Sequence, residues 1–154
     1  MIIINDKCIS LIKEFESFRS HAYHGEADPP KLFTIGYGTT IYPNGAKVQL
    51  TDIPITEEFA TSILVSEVQK KAKAIDNFLR DDLSPNQFGA ILSFTYNCGE
   101  GALRSSTLLR RVNENPIQVS IRDAFMMWVK GEGGQEIPGL VRRRRAEADL
   151  YFTP

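Results

Sequence analysis

Cys8, Leu11, Ile12 and Phe15 recur at the i, i+3, i+4, i+7 spacing of one helix face, which predicts a helix over residues 7–18. The pattern then breaks. Residues 22–40 carry Gly25, Pro29, Pro30, Gly36 and Gly38 among aromatic and β-branched residues, the make-up of a small irregular β-region with turns. Tyr42-Pro43-Asn44-Gly45 predicts a turn, and residues 46–50 a further short strand. From Thr56 the period returns to that of a helix. Thr56 is placed to cap it, Glu57 and Glu58 suit its positive end, and Ala60, Ile63, Leu64, Val68, Ile75 and Leu79 carry the stripe as far as Arg80. About 25 residues is long for a globular helix, and such a helix is suited to joining two lobes.

Ser84-Pro85-Asn86-Gln87 is a complete helix start: Ser at the N-cap, Pro at the first helical position and Gln three residues after the cap. Phe88, Ile91, Leu92 and Thr95 continue it, and residues 97–101 break it, with Gly99 in a C-cap role. Two more helices are predicted over 102–113 and 117–130. Ile117, Ile121, Ala124, Phe125 and Trp128 share one face of the second, and Trp128 is read as core. Residues 131–134 predict a flexible loop, and Pro138-Gly139 opens a last short helix ending near Tyr151. Helix, small sheet, then helices only: this is an α+β chain with its sheet segregated near one end.

Composition bounds the picture. The chain has 154 residues, enough for one compact domain in two lobes, and no apolar run long enough to span a membrane or serve as a signal-peptide core. Its net charge is −1, which argues against a nucleic-acid binder. The charge is uneven: residues 1–100 sum to −4 and residues 101–154 to +3. Cys8 and Cys98 match no metal or redox spacing and read as free thiols, and His21 and His24 lack further ligands for zinc. Arg142 to Arg145 invite a polyanion site, but successive helical residues fan around the axis and make no single patch. A solvated face is expected there, with one arginine reaching a catalytic acid and Arg143 pairing with Glu147 at i, i+4.

Candidate chemistry centres on residues 33–40, FTIGYGTT. On a strand Gly36 and Gly38 would fall on one face, and glycine there marks either tight packing or a wall left bare for a ligand. Glu14, Glu16, Glu26 and Asp28 lie just before this run. Glycosidic cleavage needs two facing carboxyl groups, one protonated to donate to the leaving oxygen and one ionised. Helical geometry does not choose between Glu14 and Glu16, which flank the apolar stripe on opposite sides. Asp28 precedes Pro29, which favours an extended approach toward Thr34.

Glu16-Ser17-Phe18-Arg19, Ala22-Tyr23, Asp28-Pro29 and Thr34-Ile35-Gly36-Tyr37-Gly38 together resemble the signature of phage-type lysozymes, the endolysin glycoside hydrolases. The likeness continues through Ser84–Phe88, Ser93–Gly99, Gly101–Leu109 and Pro138–Glu147, in order along most of the chain. The resemblance implies a lysozyme-like α+β fold. A small lobe near 18–55 and a helical lobe near 82–154 would be joined by a long helix over 56–81, with the 1–17 helix packing at a cleft between them. It implies cleavage of the β-1,4 bond between N-acetylmuramic acid and N-acetylglucosamine in peptidoglycan, with a transglycosylase or a wall-binding module as alternatives. Glu16 would be the general acid, Asp28 the base or electrostatic partner, and Thr34 would hold the attacking water. Gly36 and Gly38 would leave the groove floor bare for sugar, and Tyr96 and Asn97 would contact substrate. No metal or organic cofactor is implied. A monomer is expected, without membrane anchor or nucleic-acid partner, held in the host cytoplasm until holin-type release. Three departures stand out: Ser17 replaces a family glycine, Thr39 a common histidine, and extra residues at His24–Ala27 leave Glu26 as a rival to Asp28.

Overall fold

The computed structural model describes residues 3–25 and 28–154. Among them are seven helices and a two-stranded sheet: α1 (Asp6–Glu16), β1 (Arg19–Tyr23), β2 (Thr34–Gly36), α2 (Glu57–Asp76), α3 (Pro85–Cys98), α4 (Glu100–Ser105), α5 (Thr107–Glu114), α6 (Ile121–Met126) and α7 (Pro138–Tyr151). The chain divides into two compact units. One is Glu16–Val68; the other joins Met1–Phe15 to Gln69–Pro154, so the division falls within α2.

In the smaller unit β1 and β2 pair antiparallel, with Arg19 opposite Gly36, Tyr23 opposite Thr34, and an irregularity between. A second reversal follows at once. Ile35 and Thr39 exchange both backbone hydrogen bonds at 2.9 Å, so Gly36-Tyr37-Gly38 is a three-residue loop. Both glycines have positive φ, +65° and +82°, which a loop this tight requires. The third reversal is the expected turn at residues 42–45, with Gly45 at φ +87°. Residues 46–50 form no strand: Ile41 meets Lys47 in a single bridge, and Val48 then donates to the Thr40 carbonyl. Among the described residues of this unit, Ile35, Tyr37, Val48, Ala60, Ile63, Leu64 and Val68 are the buried apolar ones.

The larger unit is helical. α3 begins where expected: Ser84 accepts from the Gln87 N–H while the Gln87 side chain accepts from Ser84, a full capping box. α3 packs on α7 and is buried continuously from Gly89 to Thr95. Gly89 lets α1 approach, since a Cβ there would lie 2.9 Å from Cys8 Cβ. Cys8 and Cys98 are free thiols, and burial pushes Cys8 up to about 12. Among the described residues no helix is long and apolar enough to cross a membrane.

Several helix limits differ from expectation. α2 ends at Asp76, because Phe78 and Leu79 tighten onto Ile75 and Asp76 and Asn113 captures the Phe78 carbonyl. The stretch 102–113 is two helices. Ser106 breaks it, extended at ψ 149°, with its hydroxyl donating to Leu103 O and accepting from Leu109 N–H. Only Ile121–Met126 is helical within 117–130, and Ile117 is 76% exposed instead of facing the core. Trp128 is half-buried, its ring edge-on to Phe94 at 5.5 Å. Residues 131–134 are an ordered turn, closed by Gly131 N–H to Gln135 O and a bridge between Lys130 and Glu136.

Candidate active site

Glu16 is the last residue of α1 and is half-buried. The chain leaves the helix through Ser17 at φ +59°, the left-handed position that helices use to stop and that glycine fills most easily. Beyond it Phe18 packs on Tyr37, ring centroids 5.7 Å apart, and Arg19 stacks over Tyr23 at 4.8 Å. Tyr37 is itself buried and donates to Glu57 at the start of α2, at 2.9 Å. Burial, and then this acceptor, push the Tyr37 hydroxyl above its ordinary value. The glycine loop therefore presents an aromatic anchor that holds the exit from α1.

Asp28 lies in the connection between β1 and β2, half-buried. Its Oδ2 accepts the Gly25 N–H at 2.9 Å, and its own N–H donates to the Gly25 carbonyl at 3.1 Å. A Cβ on Gly25 would stand 2.6 Å from that oxygen, so only glycine permits the clasp. His24 donates through Nε2 to the Pro29 carbonyl at 3.0 Å and packs edge-on against Phe33. Thr34 opens β2 opposite Tyr23 and is 8% exposed. Glu16, Asp28 and Thr34 thus belong to the one compact unit. Glu26, the rival carboxylate, lies outside the described residues.

Gly36 requires a correction. Its missing side chain does not leave a wall bare for sugar: a Cβ there would meet Ala60 Cβ at 3.1 Å and Ile55 Cδ1 at 3.3 Å. The space is taken by α2 and the segment leading into it. Nor do Gly36 and Gly38 alternate along a strand, since they bracket the loop at Tyr37. Gly38 is half-buried.

Tyr96 and Asn97 lie at the end of α3, in the larger unit. Lys71 Nζ sits 5.9 Å from the Tyr96 ring centroid, and Asn97 Oδ1 accepts from the Arg144 guanidinium. Gly99 closes the helix at φ +96°, its N–H bonded to Thr95 O at 2.8 Å. Arg142 and Arg145 are exposed as expected of a solvated face, but Arg143 and Arg144 are buried. Both pair with the fully buried Glu147, which also accepts from Ser93 Oγ at 2.5 Å. Burial pushes Glu147 above the usual carboxylate range, and Arg144 and Arg143 oppose it. The i, i+4 arithmetic found Arg143 with Glu147; the second arginine needed the fold. The Gly25 clasp and the Tyr37–Glu57 bond left no sequence signal beyond the residue types.

Comparison with known proteins places the chain in a family. The phage lysozyme family model matches residues 13–147. The endolysin of Bacillus phage B103 is 39% identical over 150 residues, covering 97% of this chain; the chain spans only 54% of that relative's length. The endolysin of Salmonella phage P22 is 33% identical over 153 residues, covering 99% of this chain and all of the relative. Among solved structures, the endolysin from Escherichia coli O157:H7 phage FAHEc1 superposes with a TM-score of 0.87 at 33% identity, over 97% of this chain and 93% of that one. The chain belongs to the phage lysozyme family.

Proposed function

We propose that the chain is a muramidase, hydrolysing the β-1,4 bond between N-acetylmuramic acid and N-acetylglucosamine in bacterial peptidoglycan. The observation that supports this reading is that Glu16, Asp28 and Thr34 fall in one compact unit, Glu16 ending α1, Asp28 clasped to Gly25 and Thr34 opening β2. Glu16 would protonate the leaving glycosidic oxygen. Asp28, ionised, would activate water or offset the positive charge that develops on the sugar ring. The Thr34 hydroxyl would orient that water, and Gly38, Tyr96 and Asn97 would contact the strand. The enzyme would act as a monomer, without a cofactor, reaching the wall after holin-type release from the host cytoplasm.

The test is digestion of purified peptidoglycan by wild type and by Glu16→Gln, with the new chain ends identified by mass spectrometry. Free reducing muramic-acid ends from wild type, and at least about a hundredfold fewer from the variant, are expected. Anhydro ends would replace hydrolysis with transglycosylation. Binding without cleavage would leave a wall-binding module.

A further inference from the structure

The loop that follows Asp28 helps to build a concavity. Pro29, Pro30, Leu32 and Phe33 face Thr40, Ile41 and Val48 across a pocket of about 400 Å³, within the range of ligand sites. Its walls are apolar, yet Ile41 at its rim is 50% exposed. Lys31 and Lys47 also line it, and among the described residues no carboxylate does. Among the described residues neither lysine has an ion-pair partner. Lys31 moreover holds φ at +68°, where glycine would be unstrained. Exposed, it supports no core, so packing gives no reason for a lysine at a strained position.

Two lysines lining an otherwise largely apolar pocket fit a ligand that carries carboxylates beside small apolar groups. A neutral sugar does not fit this description. In peptidoglycan the part that does is the peptide borne by muramic acid, with its alanine methyls and its free carboxylates. Pro29 adjoins Asp28 directly, so a peptide seated here would lie beside the candidate catalytic loop. We infer that the pocket bounded by Lys31 and Lys47 binds the acidic stem peptide of peptidoglycan, an inference that rests on the muramidase reading for its choice of ligand. The lysines supply charge-assisted hydrogen bonds to the carboxylates, and Leu32, Phe33, Ile41 and Val48 take the methyl groups.

The test uses the free stem tetrapeptide as probe, titrated into the isotope-labelled chain and followed by amide chemical shifts. Shifts confined to residues 31–33, 40–41 and 47–48 are expected. Binding should weaken by about tenfold or more for the fully amidated peptide, and again for the acidic peptide with a Lys31→Gln/Lys47→Gln variant whose spectrum is otherwise unchanged. No shifts in the pocket, or equal binding of the acidic and amidated peptides, would overturn the inference. The muramidase reading stands or falls separately, on reducing ends released from peptidoglycan. A chain that binds the peptide but releases none keeps the pocket and loses that reading.

Discussion

Ser17 occupies a backbone conformation, φ +59°, that a residue with a Cβ reaches at a cost of about 1–2 kcal/mol. Ser17→Gly removes this strain but adds freedom to the unfolded chain, so the net gain is expected to be about 0.5–1 kcal/mol. A higher urea midpoint with an unchanged slope would show it, and a lower midpoint would mean that the serine hydroxyl makes a compensating contact. Gly25 acts in the opposite sense. With a Cβ 2.6 Å from Asp28 Oδ2, Gly25→Ala must push the carboxylate off its clasp. If Asp28 serves the reaction, kcat should fall by about tenfold or more with KM and Tm little changed. The same change in an Asp28→Asn background should cost no further activity. An equal loss in both backgrounds would make Gly25 merely structural. The Ser17 effect was half legible, as a departure from the family's glycine, whereas the Gly25 clasp was not; nor was the loop at 36–38, because FTIGYGTT looks like a strand until the double hydrogen bond between Ile35 and Thr39 folds it back.

Elements whose signals are local were legible. The start of α3 is written in four consecutive residues, Ser84 to Gln87, and the structure has both halves of its capping box. α7 follows from Pro138, and α1 from its apolar stripe, to within two residues of the predicted end. What failed was periodicity without caps. Across 117–130 the apolar spacing is helical, but Ile117 and Val119 face solvent and only six residues hold a helix. At 105–107 the run Ser-Ser-Thr lets a hydroxyl replace a backbone acceptor, and Ser106 splits one predicted helix into two. The candidate site was legible from the family blocks; its supporting contacts were not. The hairpin at 41–47 gives a measurable case. Asp52 accepts from the Gln49 N–H and from the Tyr42 hydroxyl, and these bonds hold its carboxyl below the ordinary range. A carboxylate with a lowered folded pKa contributes stability above its unfolded value, about pH 4, and loses it as the pH falls through the folded value. Asp52→Asn should therefore lower the urea midpoint at pH 7, and the gap to wild type should close on acidification. A gap that stays constant down to pH 2 would show that Asp52 acts through packing alone.

At the scale of the whole chain, the two compact units differ in charge and in what holds them. Residues 16–68 hold seven acids and three bases, whereas the remainder holds twelve acids and fifteen bases. In the larger unit this excess is partly internal: Arg143 and Arg144 are buried, and Glu147 is the carboxylate set between them. The cluster ties α7 to α3 through Ser93 and to the segment after α6, where Arg144 donates to the Trp128 carbonyl at 3.0 Å. Removing charges from water is costly, so the cluster as a whole need not add stability over an apolar core of the same shape. Breaking it is another matter. Glu147→Gln leaves two guanidinium groups facing each other without a counter-charge, at an expected cost of about 3–5 kcal/mol in urea unfolding. A Glu147→Leu/Arg143→Met/Arg144→Leu variant should recover much of that loss, because it leaves no charge unpaired. Full recovery would mean that the cluster serves the α3–α7 register or the reaction more than stability. If Glu147→Gln cost under about 1 kcal/mol, the guanidiniums would have to find water or other acceptors, and the buried-pair argument would fail.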